Sequence, residues 1–196
     1  MPALDLISHD IVTPQTLGII EVAPLPGLGG EPTCSQTREA IEAMLQNDRS
    51  IANAPHSPQA EALALAGLWL LAGELNRSHE LSQSIENITG AYWHGIMHRR
   101  EGDFWNSKYW FRRVSTHPVL EELARQIASD RQRLEAAGFE CRKLSSGNSV
   151  AEALVDLCEA AGAGKPDLTA DLELICWWEW QLLFRYSLAI SPHGLS

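Results

Sequence analysis

Residues 92–113, YWHGIMHRREGDFWNSKYWFRR, decide how this chain folds. Taken at 100° per residue, Tyr92, Trp93, Ile96 and Met97 fall within one sector of a helix about 140° wide. In the second half Phe104, Ser107, Trp110, Phe111 and, just beyond, Val114 recur at three- and four-residue steps, which is again a helical stripe. Between the halves stand Gly102, able to close a helix in the left-handed conformation, and Asp103, able to cap the next one. The segment therefore reads as two antiparallel helices joined by a tight turn.

The same punctuation occurs 29 residues earlier, where Gly73-Glu74-Leu75-Asn76-Arg77-Ser78 lines up with Gly102-Asp103-Phe104-Trp105-Asn106-Ser107. In each copy a glycine ends a helix, an acid follows at the capping position, and a serine five residues after the glycine allows close helix approach. This arrangement is similar in part to the helical hairpins of tetratricopeptide repeats, with a shorter period and two copies at most.

Further helices are expected from Ser35 to Asn47, from Ser57-Pro58 to the break at Gly73, and from Leu75 to Ile88. Three more follow: from Pro118 to near Gly138, from a Ser149-x-x-Glu152 capping box to Gly162, and from Pro166 to about Ile190. Leu63 to Leu71 is apolar on nearly every side, which marks a central helix. Residues 1–33 hold five of the ten prolines and read as an irregular arm with one short β-leaning run, Thr16–Val22, suited to an edge strand. The expected architecture is all-α, antiparallel hairpins in a repeat-like or bundle arrangement over 34–196, preceded by that arm.

Composition narrows the function. The chain has 196 residues and a net charge of −10, which fits one ordinary domain and opposes general binding to nucleic acid or to an anionic membrane. Leu172 to Ile190 is the most apolar stretch, yet it contains Glu173, Glu179 and Arg185 and reads as a core helix. Met1–Pro14 has no basic or apolar signal region, and Cys34, Cys141, Cys158 and Cys176 form no C-x-x-C pair, so a reduced, cytoplasmic chain is expected. Trp177-Trp178-Glu179-Trp180 cannot share one helical face. At least one ring is expected outside the core stripe, which makes this helix the candidate surface for self-association.

The average charge hides an uneven distribution. Residues 92–113 hold seven of the fourteen aromatics and five basic residues against Glu101 and Asp103. They carry a net +3, and the rest of the chain −13.

Two kinds of chemistry follow from this block. Glu101, His94 and His98 lie at about 180°, 200° and 240° from Tyr92, so two imidazoles and a carboxylate share a face, a spacing that lets both histidines reach one divalent metal. Glu101 is the candidate third ligand or general base, Asp103 an alternative base, and His117, Asp103 or His79 could complete the set from a neighbouring segment. On the next helix Trp105, Asn106, Tyr109, Arg112 and Arg113 form a face of guanidinium and aromatic groups suited to a small anionic or planar ligand. The alternative use of Arg112 and Arg113 is pairing with the acidic segment 150–180. A pocket between the helices would have His94, His98 and Glu101 on one wall and Trp105, Tyr109 and Arg113 on the other.

The block Tyr92–Pro118, YWHGIMHRREGDFWNSKYWFRRVSTHP, resembles the shared segment of a family of helical bacterial and fungal proteins without an assigned activity. The resemblance implies the helical fold and no mechanism. Two function classes stay open: a binding or interaction protein with a His/Arg/aromatic pocket, and a metal-dependent hydrolase or lyase with His94 and His98 as ligands. No motif demands an organic cofactor or a nucleotide; the histidines fit a packed polar seam with no cofactor at all, and the alternative group they would suit is a divalent metal.

Overall fold

The computed structural model describes residues 4, 6–25, 28–29, 33–47, 49–54, 56–136, 141–144, 147–162 and 169–190, except for the side chains of 142–143 and 147–149. Its order is α1 (Pro14–Val22), α2 (Ser35–Gln46), α3 (Pro58–Leu71), α4 (Leu75–Gln83), α5 (Ile88–Glu101), α6 (Phe104–Val114), α7 (Pro118–Ser129), α8 (Arg131–Ala136), a 3₁₀ turn (Cys141–Leu144), α9 (Gly147–Gly162) and α10 (Thr169–Ala189). The fold is all-α. Among the described residues there is no strand, and no helix is long and apolar enough to cross a membrane.

The two hairpin turns share their backbone construction and differ at the acid, since Asp103 caps its helix through the side chain and Glu74 does not. Gly73 and Gly102 both take positive φ, 78° and 87°, a region in which a side chain would clash with its own backbone. Glu74 N–H reaches back to the Trp69 carbonyl at 2.9 Å, and Asp103 N–H to that of His98 at 3.0 Å. Ser78 and Ser107 are buried, and Ser107 Oγ donates to the Gly95 carbonyl at 2.7 Å across the α5–α6 contact. The internal echo is thus a pair of αα-hairpins, α3–α4 and α5–α6, with α4 packed against α5.

α10 lies along these hairpins and contacts α3, α5, α7 and α9. Trp177, Trp178 and Trp180 are all buried, contrary to the expectation that one would lie outside the core. The reason is that α10 is enclosed on every side, so no outer face remains. Trp177 stacks on Trp180 and Trp180 on Phe184, with centroids 5.3 and 4.8 Å apart. Trp180 Nε1 gives to the Gly67 carbonyl at 2.9 Å, and Trp93 Nε1 on α5 gives to Ser187 Oγ of α10 at 3.0 Å. The tryptophans that suggested self-association are therefore internal.

Three boundaries differ from the sequence reading. The expected edge strand over Thr16–Val22 is helix α1, because Thr13 Oγ1 caps the Thr16 amide at 3.2 Å and Pro14 opens the first turn. One isolated bridge, Val12 with Ala52, is all the β pairing there, and Ile7, Val12, Ile19 and Ile20 are buried in the common core. The expected helix from Leu75 to Ile88 stops at Gln83. Ile88 belongs to α5, whose cap is Asn87, with Oδ1 accepting from the Gly90 amide at 2.8 Å. The helix after Pro118 breaks at Asp130 into α7 and α8. The Ser149 side chain of the expected capping box lies outside the described residues, and α9 begins at Gly147.

Candidate metal centre

Three histidines converge where α4 crosses α5. His79 comes from α4, and His94 and His98, one turn apart, from α5. One ring nitrogen of each lies within 4.8 Å of the others. The ring centroids are 4.6 Å apart for His79–His94, 4.7 Å for His94–His98 and 5.5 Å for His79–His98. Around one zinc ion three imidazole nitrogens stand about 3.3 Å apart, closer than the limit within which these three lie. His94 and His98 are buried and His79 is half-buried, which leaves the α4 side as the approach.

Hydrogen bonds hold two of the rings at Nδ1. Ser82 Oγ has one proton and donates it to the His79 carbonyl at 3.2 Å, a group that can only accept. The same hydroxyl pairs with His94 Nδ1, also 3.2 Å away. Glu101 Oε2 stands 3.0 Å from His98 Nδ1 and, as a carboxylate, accepts its proton, which leaves the lone pair of His98 on Nε2. Asn106 Nδ2 lies 3.0 Å from that Nε2, so its amide must turn aside for His98 to ligate. A carboxylate behind a histidine orients the ring and raises its basicity as a ligand. Burial, reinforced by the neighbouring histidines, lowers the His94 pKa to about 3 and keeps the ring neutral, as a metal ligand must be.

Of the residues expected to supply a third ligand, His79 is the one that stands with His94 and His98. Glu101 does not join the ring nitrogens but holds His98 from behind, because its position one turn below His98 reaches Nδ1. Asp103 is occupied as the cap of α6, accepting from the Asn106 amide at 3.0 Å. His117 opens α7 elsewhere in the core, with Nδ1 accepting from the Val119 amide and Nε2 paired with Thr89 Oγ1, each at 3.2 Å. Burial lowers its pKa to about 4.

The α6 residues divide into three groups. Arg112 pairs with Glu152 on α9 at 3.3 Å, and Lys108 with Asp156, so the acidic C-terminal segment takes these two cations. Trp105 and Tyr109 stack on each other on the outer surface, 77% and 43% exposed, away from the histidines. The wall expected from them is built instead by Asn106, against His98, and by Trp110, whose ring centre is 4.1 Å from that of His94. Trp110 reads from sequence as a core residue; it is half-buried and faces the site. Arg113 stands apart, its guanidinium 5.0 Å over the Trp110 ring and 3.4 Å from the Tyr109 hydroxyl. Ser82 and Trp110 carried no sequence signal of their own; only the 29-residue echo, which sets α4 beside α5, pointed to this region. No protein family, curated protein or solved structure matches this chain.

Proposed function

We propose that this chain is a metal-dependent hydrolase or lyase whose His79, His94 and His98 hold one divalent transition-metal ion, zinc by preference. The observation that supports it is three imidazoles from two helices converging on one point, two of them held at Nδ1 by Ser82 and Glu101. Three protein ligands leave a coordination position for water or substrate, the pattern of catalytic rather than structural zinc. A metal bound there would polarise a carbonyl and activate water near neutral pH.

The protein's own residues have separable roles. Ser82 and Glu101 orient the ligands, Trp110 shields His94 from solvent, and Asn106 lies where it can turn from His98 toward a group on the metal. Glu101, 52% exposed on its side chain, orients a ligand and can also pass protons between the site and solvent.

The test is metal titration of the untagged protein by calorimetry, followed by the absorption spectrum of the cobalt-loaded form. One equivalent is expected, with a spectrum that changes when a small anion enters the open position. Alanine at His79, His94 or His98 should abolish uptake, and a chain that takes up none of zinc, manganese, iron, cobalt or nickel would remove the proposal. Metal-dependent cleavage within a panel of esters, amides and hydroxy acids separates catalysis from metal storage.

A further inference from the structure

A groove of about 600 Å³ lies one turn beyond the histidines, between the α4–α5 connection and the end of α6. Its walls include Gln83, Asn87, Ile88, Ala91, Trp110 and Arg113, and it shares Trp110 with the histidine cluster. We propose that this groove is a substrate pocket for a small monocarboxylate with an apolar body, anchored by Arg113 and directed toward the three histidines. The proposal deepens the metal-centre reading by naming the substrate class.

Four observations support it. Lys108 and Arg112 have carboxylate partners on α9, whereas among the described residues no carboxylate pairs with Arg113, which meets only aromatic groups. A guanidinium held over a tryptophan ring is oriented yet keeps donors for a carboxylate, which it binds as a fork. Ile88 is 43% exposed and, with Ala91 and Trp110, gives the groove an apolar lining. Asn87 has its Oδ1 engaged by the Gly90 amide, so its Nδ2 donors remain for a ligand.

Charge selects against dianions. One guanidinium is the only cation lining the groove, and the Glu86 carboxylate lines it too, so a second negative charge on the ligand would be repelled. Geometry sets the direction. Asn106, Trp110 and Arg113 lie at i, i+4 and i+7 on one face of α6, so the anchor stands about 10 Å along the axis from the residue touching His98. A carboxylate on Arg113 thereby places the far end of a short chain or a single ring along Trp110, the residue that the groove shares with the histidine cluster.

The test uses 3-phenylpropionate, its neutral methyl ester and phenyl phosphate, with binding followed by NMR shifts of the tryptophan indole and arginine Nε signals in metal-free protein. Saturable binding of 3-phenylpropionate is expected, at least about tenfold weaker in Arg113→Gln and for the ester, since a charged hydrogen-bonded pair is lost. Arg113→Lys should recover part of the affinity. Arg113 is exposed, so these variants fold, as their unfolding midpoints will verify. Absence of saturable binding, equal binding by Arg113→Gln, or tighter binding of phenyl phosphate would each overturn the proposal. His79→Ala separates it from the metal reading, because metal uptake should vanish while carboxylate binding stays within about twofold of wild type; loss of carboxylate binding in that folded variant would also overturn it.

Discussion

Two polar centres sit on opposite sides of α5, and they differ in whether their charges are complementary. On the α10 side Arg99 and Glu179 form a bidentate pair, 2% and 0% exposed on their side chains, with Phe111 and Trp180 beside Arg99. Tyr92, also fully buried there, has its phenol pKa pushed up by burial first and by the Glu179 charge second. On the α4 side three imidazoles face one another, and among the described residues the one carboxylate that touches them is Glu101, at His98 Nδ1. The first centre is closed and self-compensating; the second is the open one, with His79 half-buried at its edge and Asn106 Nδ2 against His98 Nε2. Complementary burial fixes the helices in place, and the convergence of like groups is what the proposed metal site rests on.

The comparison can be broken most sharply at the closed centre. Glu179→Ala leaves a buried guanidinium unpaired and should cost about 3–5 kcal/mol of stability in urea unfolding. Replacing both partners, Arg99→Met with Glu179→Leu, should recover most of that, since a well-packed apolar pair is often as stable as a buried ion pair. A double variant no more stable than the single one would mean that the pair specifies the fold.

At the open centre the sign reverses, because ligand replacement there removes a site rather than a support. Zinc at a hundred times its Kd should stabilise the wild type by about 2.7 kcal/mol, and His94→Ala should show no such gain. Glu101→Gln should keep the fold and weaken zinc binding about 10- to 100-fold, as loss of an orienting carboxylate does. Unchanged affinity would make that carboxylate incidental.

Acid gives a further contrast. His117 has a pKa of about 4 in the folded chain and an ordinary value near 6.5 when unfolded, so below about pH 6.5 the unfolded state binds the extra proton. Stability contributed by neutral His117 is present above that range and lost as pH falls from 6.5 toward 4. Protonation also removes the Nδ1 lone pair that accepts from the Val119 amide. His117→Asn, which can still cap the helix, should flatten the pH dependence of the unfolding midpoint over that window. The smallest effect is expected on the surface, where Arg112→Ala breaks an exposed pair with Glu152 and should cost less than about 1 kcal/mol.

Much of the fold was legible because its signals are local. Gly73 and Gly102 with their following acids mark hairpin turns, Pro58 and Pro118 open helices, and apolar residues recur at helical steps. Where the reading failed, a short-range competitor decided the outcome. Thr13 and Pro14 started a helix through a run of β-leaning residues, and Asn87 captured the Gly90 amide and so gave Ile88 to α5 rather than α4. The candidate site was half legible, since His94 and His98 share a helix and their spacing alone aligns them.

The sequence by itself determined an all-α chain with a basic, histidine-bearing hairpin inside an acidic remainder. Only the tertiary structure decided that His79 completes the cluster, that Glu101 stands behind His98, that Trp110 replaces Trp105 as the wall, and that Arg113 alone of its neighbours keeps its charge unpaired among the described residues. The physical reason is range. Periodicity and capping act within a turn or two, whereas which imidazoles meet and which cations find acids depends on contacts between helices far apart in the chain, as between Arg99 and Glu179 across 80 residues.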